Sequence, residues 1–271
     1  MLLRQWKDSP FWLENVFNKK MKALIITVAG TATRFNKDTK RDTLKCLYYN
    51  ESPIYSLLYQ ILDKSKKIDK FVIVGGYLYS ELSSFINNHL SGFKSKIELV
   101  YNPLFKEYGS GYSLIKGIEA LDKDTEEIVF VEGDLYFDTE SYISILDSNK
   151  DVISVNREFI SADKAVALYI NNNNNVHYIY DTNHSTLYIP EPIKAIYNSA
   201  QIWKFKSYQM LSEVISNLNE QQIQGTNLEI IQGYFGNLPI NKLHIIPVKT
   251  WFNCNTVADY LNVYKTLKSI E

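Results

Sequence analysis

Short apolar runs alternate with segments of helical spacing along the first half of the chain. The apolar runs predict strands at Ala23–Val28, Phe71–Val74, Ile97–Tyr101 and Glu127–Glu132. Apolar positions at helical spacing predict helices at Ile54–Leu62, Tyr79–Leu90 and Gly111–Leu121. Strands of this length that are separated by helices are typical of βαβ units. We therefore predict an α/β fold with a mostly parallel sheet flanked by helices.

The pattern changes after residue 150, where strands become more frequent. Strands are predicted at Val152–Asn156, Ala165–Ile170, Val176–Tyr180 and Leu243–Val248, and helices at 207–219, 227–234 and Thr256–Leu267. The run Asn171–Asn175 predicts a hairpin tip, because asparagine tolerates positive φ. We interpret residues 21–271 as one α/β domain with an added β-rich region.

Residues 1–20 differ in pattern from the rest of the chain. Ser9 and Pro10 suit the start of a helix, and an apolar stripe follows them. We interpret this segment as a helical extension that packs on the domain or faces a partner.

Composition and charge restrict the classes of partner. The 271 residues contain Lys+Arg 29 and Asp+Glu 30, a net charge of −1, which argues against a nucleic-acid or anionic-membrane surface. Two cysteines, Cys46 and Cys254, form no disulfide framework. No apolar run approaches the roughly 18 residues of a membrane span. The N-terminal residues also lack the apolar centre of a signal peptide. We expect a soluble cytoplasmic protein.

The segment that follows the first predicted strand is suited to binding an anion. It consists of small residues and then an arginine: Ala29, Gly30, Thr31, Ala32, Thr33 and Arg34. Ligands of open parallel sheets bind beyond the carboxyl ends of strands, and small residues let backbone N–H groups approach a phosphate. Arg34 and, eleven positions later, Lys45 would supply positive charge. An ordinary turn after a strand has the same composition, and neither a P-loop nor a dinucleotide fingerprint is present.

A second candidate lies at the end of the fourth predicted strand. Asp134 follows Gly133 at the same expected edge of the sheet, and Mg²⁺ prefers one or two carboxylates together with phosphate oxygens. Asp134 is therefore a candidate metal ligand, with a simple turn residue as the alternative. Asp138 suits either a supporting position or a helix cap. Glu132 is left out, because a continuing strand would turn it to the opposite face from Gly133.

Motifs in order along the chain resemble a known family. Ala29-Gly30-x-Ala32-Thr33-Arg34-Phe35 resembles the Ala-Gly-x-Gly-Ser/Thr-Arg signature of the nucleotidyltransferases that make sugar nucleotides and CDP-alcohols. Leu44-Lys45-Cys46-Leu47 is similar to their Pro-Lys-x-Leu segment. Further similar segments are Ser52-Pro53-Ile54, Gly75-Gly76-Tyr77, Tyr101-Asn102-Pro103, Ser110-Gly111-Tyr112-Ser113-Leu114, Glu132-Gly133-Asp134 and Trp251-x-Asn253-x-Asn255-Thr256-x-x-Asp259. The chain most resembles the cytidylyltransferase branch, which includes bacterial phosphocholine cytidylyltransferases.

The resemblance implies a single Rossmann-like, GT-A-like nucleotidyltransferase fold and a reaction. Residues 21–150 would bind the nucleotide and residues 151–250 the acceptor. Lys45 and Arg34 would neutralise the triphosphate of CTP or another pyrimidine nucleotide, and Asn255 would join Asp134 in holding Mg²⁺. Nucleotide contacts are expected from the first loop (Ala29, Gly30, Thr31, Ala32 and Thr33) and from Gly76, Tyr77, Ser110, Gly111 and Ser113. The acceptor would be a small phosphorylated alcohol, amino alcohol or phosphonate used in assembling cell-surface polysaccharide.

Departures from the family pattern leave alternatives open. Ala32 replaces a glycine, Leu44 a proline, and Asn253 and Asn255 stand where acidic residues are common. The alternatives are a sugar-1-phosphate nucleotidyltransferase that uses UTP or dTTP, a GT-A glycosyltransferase with Asp134-x-x-x-Asp138 as its metal motif, and a nucleotide-binding relative with weak catalysis. Four aromatic residues either line the acceptor pocket or pack in the core: Tyr180, Tyr197, Trp203 and Trp251. The sequence is also compatible with a homodimer and does not determine the oligomeric state.

Overall fold

A computed structural model of the chain describes residues 21–162, 166–179 and 185–270. The helix predicted within residues 1–20 lies outside these ranges, as does Tyr180. The strands are β1 (Met21–Thr27), β2 (Lys70–Gly75), β3 (Ile97–Tyr101), β4 (Thr125–Glu132), β5 (Leu135–Phe137), β6 (Asp151–Asn156), β7 (Ala167–Asn171), β8 (Val176–Ile179), β9 (Ile193–Phe205), β10 (Leu243–Pro247) and β11 (Trp251–Asn253). The helices are α1 (Thr33–Thr39), α2 (Leu57–Lys64), α3 (Tyr79–His89), α4 (Ser110–Glu119), α5 (Thr139–Asp147), α6 (Tyr208–Ser216), α7 (Glu220–Ile223), α8 (Leu228–Phe235) and α9 (Val257–Lys268).

One large mixed sheet organises the fold. Its strand order is β10-β6-β9-β4-β1-β2-β3, and β7 and β8 extend it beside β9. Strands β1, β2, β3 and β4 pair in parallel, as do β6 and β10, whereas β9 runs antiparallel to both β4 and β6. The predicted mostly parallel sheet flanked by helices is therefore confirmed.

Helices cover both faces of this sheet, because its central strands are apolar on both sides. In β1, Leu24 and Ile26 pack in a cluster with α2, α3 and α5. The alternate residues Ala23 and Ile25 pack in a second cluster with α4, α6 and α8. This three-layer arrangement buries the strands and leaves their carboxyl ends exposed along one edge of the sheet.

The β-rich region is built on the long strand β9. Its first half pairs with β7, and its second half lies between β4 and β6. The predicted hairpin joins β7 to β8, with Asn174 at φ 65° and the Asn171 side chain accepting hydrogen bonds from the N–H groups of Asn173 and Asn175. The asparagine run is thus a hairpin tip, as predicted.

The aromatic residues of this region that were considered for an acceptor pocket pack mainly in the core. Trp203 is fully buried, stacks on Phe130 at 5.3 Å and donates from Nε1 to the Tyr178 hydroxyl at 2.7 Å. Trp251 donates from Nε1 to the Ala200 carbonyl at 2.8 Å and packs against the core, and Tyr197 packs against the core from a partly buried position. The core interpretation therefore holds for these three residues. No helix within the described ranges is long and apolar enough to cross a membrane.

Candidate active site

A cleft of about 280 Å³ opens at the carboxyl ends of β1 and β4. Seven of the predicted site residues line it, and they come from four separate parts of the chain: Ala29, Gly30, Ala32, Lys45, Ser110, Ser113 and Asp134. The other lining residues are Thr27, Val28, Cys46, Phe105, Tyr108, Gly109, Glu132 and Gly133. The sheet edge therefore brings together the small-residue loop, one cation and two carboxylates.

The loop after β1 holds the conformation that a glycine would favour. Ala32 lies in the left-handed region at φ 51°, ψ 36°, immediately before α1. This conformation costs a residue with a Cβ roughly 1–2 kcal/mol, so the surrounding structure must impose it. The Tyr77 N–H donates to the Ala29 carbonyl at 3.1 Å, and the Asn36 side chain donates to the Thr31 carbonyl at 3.0 Å. The alanine thus occupies a left-handed turn that favours glycine and bears strain in doing so.

Gly30 faces open space at the cleft. A Cβ built on it would have nothing within 4 Å, and its φ is not positive. Neither packing nor backbone conformation within this protein therefore requires a glycine there. A ligand that approaches the backbone closely would require one.

A compact polar cluster joins three distant segments at the mouth of the cleft. Lys45 Nζ donates to Asp134 Oδ2 at 2.6 Å and to Asn255 Oδ1 at 3.2 Å. Arg34, exposed at the rim, donates from Nη2 to the same Asn255 Oδ1 at 2.9 Å. Four residues singled out in the sequence thus meet in one hydrogen-bonded group.

Two neighbouring elements fix the position of Asn255. Strand β11 pairs with β5, which directly follows Asp134, and the Cys254 N–H donates to the Asp134 carbonyl at 2.8 Å. The Asn255 N–H donates to Asp259 at 3.0 Å, within the capping box that starts α9, and its Nδ2 donates to Asn253 Oδ1 at 2.9 Å. The Trp251–Asp259 motif therefore carries Asn255 to the cleft.

The donor set of the cluster suits a magnesium ion. Asp134 Oδ1 is buried and has no hydrogen-bond partner, so one carboxylate oxygen remains for a cation. Carboxylate and amide oxygens together with phosphate oxygens are the ligands that Mg²⁺ prefers. Among the described residues there is no group of three or more His, Cys, Asp or Glu that could hold a metal, so protein side chains alone offer few ligands.

Sequence reasoning missed Glu132. This residue ends β4, lines the cleft, and accepts a hydrogen bond on Oε1 from Asn227 Nδ2. Burial, followed by the charge of Asp134, raises the pKa of Glu132 to about 7. The alternation that separates Glu132 from Gly133 also turns residues 132 and 134 to one side, and that signal could have found it.

The segment 224–227, between α7 and α8, was also missed. The Gly109 N–H donates to the Gln224 carbonyl at 2.8 Å, and the Gly111 N–H donates to the Gly225 carbonyl at 3.2 Å. The Asn227 N–H donates to Ser110 Oγ at 3.1 Å. These bonds fix the start of α4 behind the cleft, and nothing local in the sequence marks them.

The remaining predicted residues lie around the cleft rather than along it. Thr31 and Thr33 are exposed at the rim, with 3.2 Å between their hydroxyl oxygens. Gly76 is buried, and a Cβ on it would collide with the Phe105 side chain, while Gly111 is buried against segment 224–227. The Tyr77 hydroxyl accepts from Asn36 at 3.2 Å, behind the first loop.

Asp138, for which two roles were open, is a helix cap. Its Oδ1 accepts from the Ser141 N–H at 2.8 Å, and its Oδ2 accepts from the N–H groups of Lys249 and Thr250 at 3.1 and 2.9 Å. Although burial raises the pKa of Asp138, these hydrogen bonds lower it overall. Both of its oxygens are engaged in structure.

Three solved structures with a similar fold are described as nucleotidyltransferases. The inositol-1-phosphate CTP transferase from T. maritima is 18% identical, with a TM-score of 0.65, over 92% of this chain and 97% of that one. The CTP:phosphocholine cytidylyltransferase from Streptococcus pneumoniae is 16% identical, with a TM-score of 0.61, over 91% and 99%. A protein described as a glucose-1-phosphate thymidylyltransferase from Bacillus anthracis is 18% identical, with a TM-score of 0.59, over 90% and 94%. At these identities the likeness establishes the fold.

Sequence comparisons place most of the chain in one family. No curated protein matches the chain. The profile of one family, described as a domain of unknown function (DUF6564), matches residues 41–267. Because this match covers most of its length, the chain belongs to the DUF6564 family.

Proposed function

We propose that this protein is a Mg²⁺-dependent nucleotidyltransferase, of the cytidylyltransferase type. It would transfer CMP from CTP to a small phosphorylated alcohol, amino alcohol or phosphonate and release pyrophosphate. The observation that carries the proposal is the meeting of Arg34, Lys45, Asp134 and Asn255 beside the open backbone of Gly30. The fold shared with two CTP-using transferases supports CTP as the first nucleotide to test.

The reaction needs alignment and charge neutralisation more than proton transfer. An oxygen of the acceptor phosphate attacks the α-phosphorus, a new P–O bond forms, and the bond to the β-phosphate breaks. Because the attacking oxygen is already anionic, no general base is required. The protein must hold two anions in line and stabilise the charge that develops on the oxygens.

Each group at the cleft has a role in that task. The backbone of Ala29 and Gly30 would approach the phosphates, and Lys45 and Arg34 would bind them, the guanidinium as a fork and the ammonium as a movable charge. Asp134 and Asn255 would hold Mg²⁺, which neutralises phosphate charge when bound. Ser110, Ser113 and the rings of Phe105 and Tyr108 form the wall available to the nucleoside.

The glycosyltransferase alternative fits the geometry less well. It would need Asp138 as a second acidic metal ligand, but Oδ1 of Asp138 caps α5 and its Oδ2 accepts the backbone N–H groups of Lys249 and Thr250. The sugar-1-phosphate alternative keeps the same cleft and differs in nucleobase and acceptor, so the choice between them is left to the assay.

The test is pyrophosphate release with Mg²⁺ from CTP, UTP, dTTP, ATP and GTP in turn. The acceptors are phosphocholine, inositol 1-phosphate, 2-aminoethylphosphonate, glycerol phosphate and hexose 1-phosphates. We expect acceptor-dependent release with one pyrimidine nucleotide. A parallel reaction with nucleotide-sugars would identify a glycosyltransferase by their consumption, and a parallel melting assay that detects CTP binding without any release would favour the non-catalytic relative.

A variant pair ties that activity to the cleft. Asp134→Ala is expected to abolish Mg²⁺-dependent release with little loss of fold, because Asp134 lies at the end of a strand rather than inside it. Asp124→Ala, at an exposed aspartate outside the cleft, is the matched control and should retain full activity. Retained activity in Asp134→Ala would remove this residue from the metal site.

A further inference from the structure

Two cations of the protein already occupy the oxygens that a metal ion would use. The Lys45 ammonium contacts both candidate metal ligands, at 2.6 Å from Asp134 Oδ2 and 3.2 Å from Asn255 Oδ1. This is the position of a cation that bridges a carboxylate and an amide oxygen. The ammonium therefore occupies two of the oxygen atoms that the divalent ion would need as ligands.

The side-chain oxygen of Asn255 is engaged by hydrogen bonds more completely than the carboxylate of Asp134. An amide oxygen has two lone pairs, and Asn255 Oδ1 accepts from both Lys45 Nζ and Arg34 Nη2. Its own amide nitrogen is engaged with Asn253, which orients the oxygen toward the two cations. The oxygen is therefore saturated by hydrogen bonds until at least one of the cations leaves.

Asp134 keeps one free oxygen, but the salt bridge weakens its attraction for a second cation. Its side chain is only 15% exposed, and that of Lys45 24%, so solvent screens the pair little. Asp134 Oδ1 is buried and without a partner. A divalent ion at that oxygen would face the positive charge of Lys45 bound to the other oxygen of the same carboxylate.

We infer that Lys45 and Arg34 block the metal site in the nucleotide-free protein and release it when a triphosphate draws both side chains away. This inference rests on the proposed function, in which the same two cations bind the phosphates. Nucleotide and metal binding are then coupled, because the nucleotide removes the competitor of the metal. The protein would accept the metal together with the nucleotide and bind it weakly alone.

Binding of Mn²⁺ to the nucleotide-free chain tests this directly. Titrations followed by the electron paramagnetic resonance signal of free Mn²⁺ would give the dissociation constant for each variant. Lys45→Met removes the ammonium and keeps the length of the side chain, and Lys45→Gln serves if the methionine variant fails to fold. Lys37→Met, at an exposed lysine in the last turn of α1, is the matched control.

We expect Lys45→Met to bind Mn²⁺ at least about tenfold more tightly than the unmodified chain, within the usual range of coupling between sites. The Lys37→Met control should stay within about twofold of the unmodified chain. Adding Asp134→Asn to Lys45→Met should remove the gain, since the metal would lose its carboxylate.

Equal or weaker Mn²⁺ binding by both Lys45 variants, including no binding at all, would overturn the inference. A gain that survives Asp134→Asn would also overturn it, because the metal would then lie elsewhere. The test needs no turnover, so its failure is separate from that of the proposed function, which pyrophosphate release by the unmodified chain decides.

Discussion

Replacing Gly30 with alanine separates a requirement of the ligand from a requirement of the fold. The added methyl group would meet nothing within 4 Å, and the φ of Gly30 is not positive. Where alanine can adopt the native conformation, a Gly→Ala change raises the free energy of unfolding by about 0.4–1 kcal/mol through the unfolded state. Gly30→Ala should therefore be as stable as the unmodified chain, or slightly more stable.

Nucleotide binding should respond in the opposite direction. The methyl group would fill the space through which a phosphate approaches the backbone of the loop. The loss of one hydrogen bond to a charged group costs about 1.5–3 kcal/mol, which corresponds to roughly a tenfold to hundredfold weaker dissociation constant. We therefore expect CTP affinity to fall by this factor while the protein remains folded.

Gly92→Ala provides the matched control. Gly92 also has nothing within 4 Å of a built Cβ, but it lies in the turn before β3 and not at the cleft. Calorimetric titration with CTP and Mg²⁺, together with urea unfolding, should show the same small stability change for both variants and weaker binding only for Gly30→Ala. Unchanged CTP affinity in Gly30→Ala would refute the idea that this loop holds phosphates, and loss of stability would refute the reading of the space around it.

Three further substitutions test the backbone strain at Ala32, the catalytic role of Lys45 and the charge cluster around Glu127. Ala32→Gly should raise the free energy of unfolding by up to about 1 kcal/mol in urea unfolding, because glycine relieves the left-handed strain while adding unfolded-state entropy; a loss of stability would deny the strain. Lys45→Ala should reduce turnover at least about a hundredfold, by analogy with the loss of one oxyanion donor, and near-normal turnover would make this lysine a bystander. Burial raises the pKa of Glu127, but hydrogen bonds from Lys206, Lys204 and Lys22 lower it to about 2 overall. The stability that these interactions contribute is present above pH 4.5 and is lost as the pH falls toward 2. Glu127→Gln should therefore lower the free energy of unfolding by about 3 kcal/mol at pH 7 and make it less dependent on pH below 4.5. Equal urea midpoints of the variant and the unmodified chain at pH 7 would contradict this.

The sheet could be predicted because its strands are marked locally. Runs such as Phe71–Val74 are continuously apolar, which indicates burial on both faces, and a glycine or asparagine follows soon after each run. The parallel pairing of β1, β2 and β4 follows from the helices between them. The hairpin tip at Asn171–Asn175 was predictable for the same kind of reason, since it needs only local turn chemistry.

The path of β9 could not be predicted in this way. The strand continues through a bulge at Gln201, which has φ 58°, and the Ser154 hydroxyl accepts the N–H of Ile202 beside it. That geometry depends on residues nearly fifty positions apart. The strand also changes partner along its length, which no local pattern reports.

The residues of the candidate site fall into the same two groups, those that the local sequence marks and those that tertiary packing brings to the cleft. Gly30 and Asp134 were predicted because each follows a marked strand, Lys45 was predicted because it is a cation in the segment after the first strand, and the resemblance added Asn255. Glu132 was set aside by considering its immediate neighbour alone. Asn227, which holds Glu132, comes from the start of α8 and reaches the cleft only through tertiary packing.

The measurement that most directly tests the central claim is pyrophosphate release from CTP with Mg²⁺, with and without a phosphorylated acceptor. The product would be identified by mass spectrometry, and the Asp134→Ala variant would be run in parallel. We predict release that requires the acceptor, a product containing CMP joined to that acceptor, and no release by the variant. Absence of acceptor-dependent release from CTP, or equal release by the Asp134→Ala variant, would contradict the claim and leave only the fold in common with the nucleotidyltransferases.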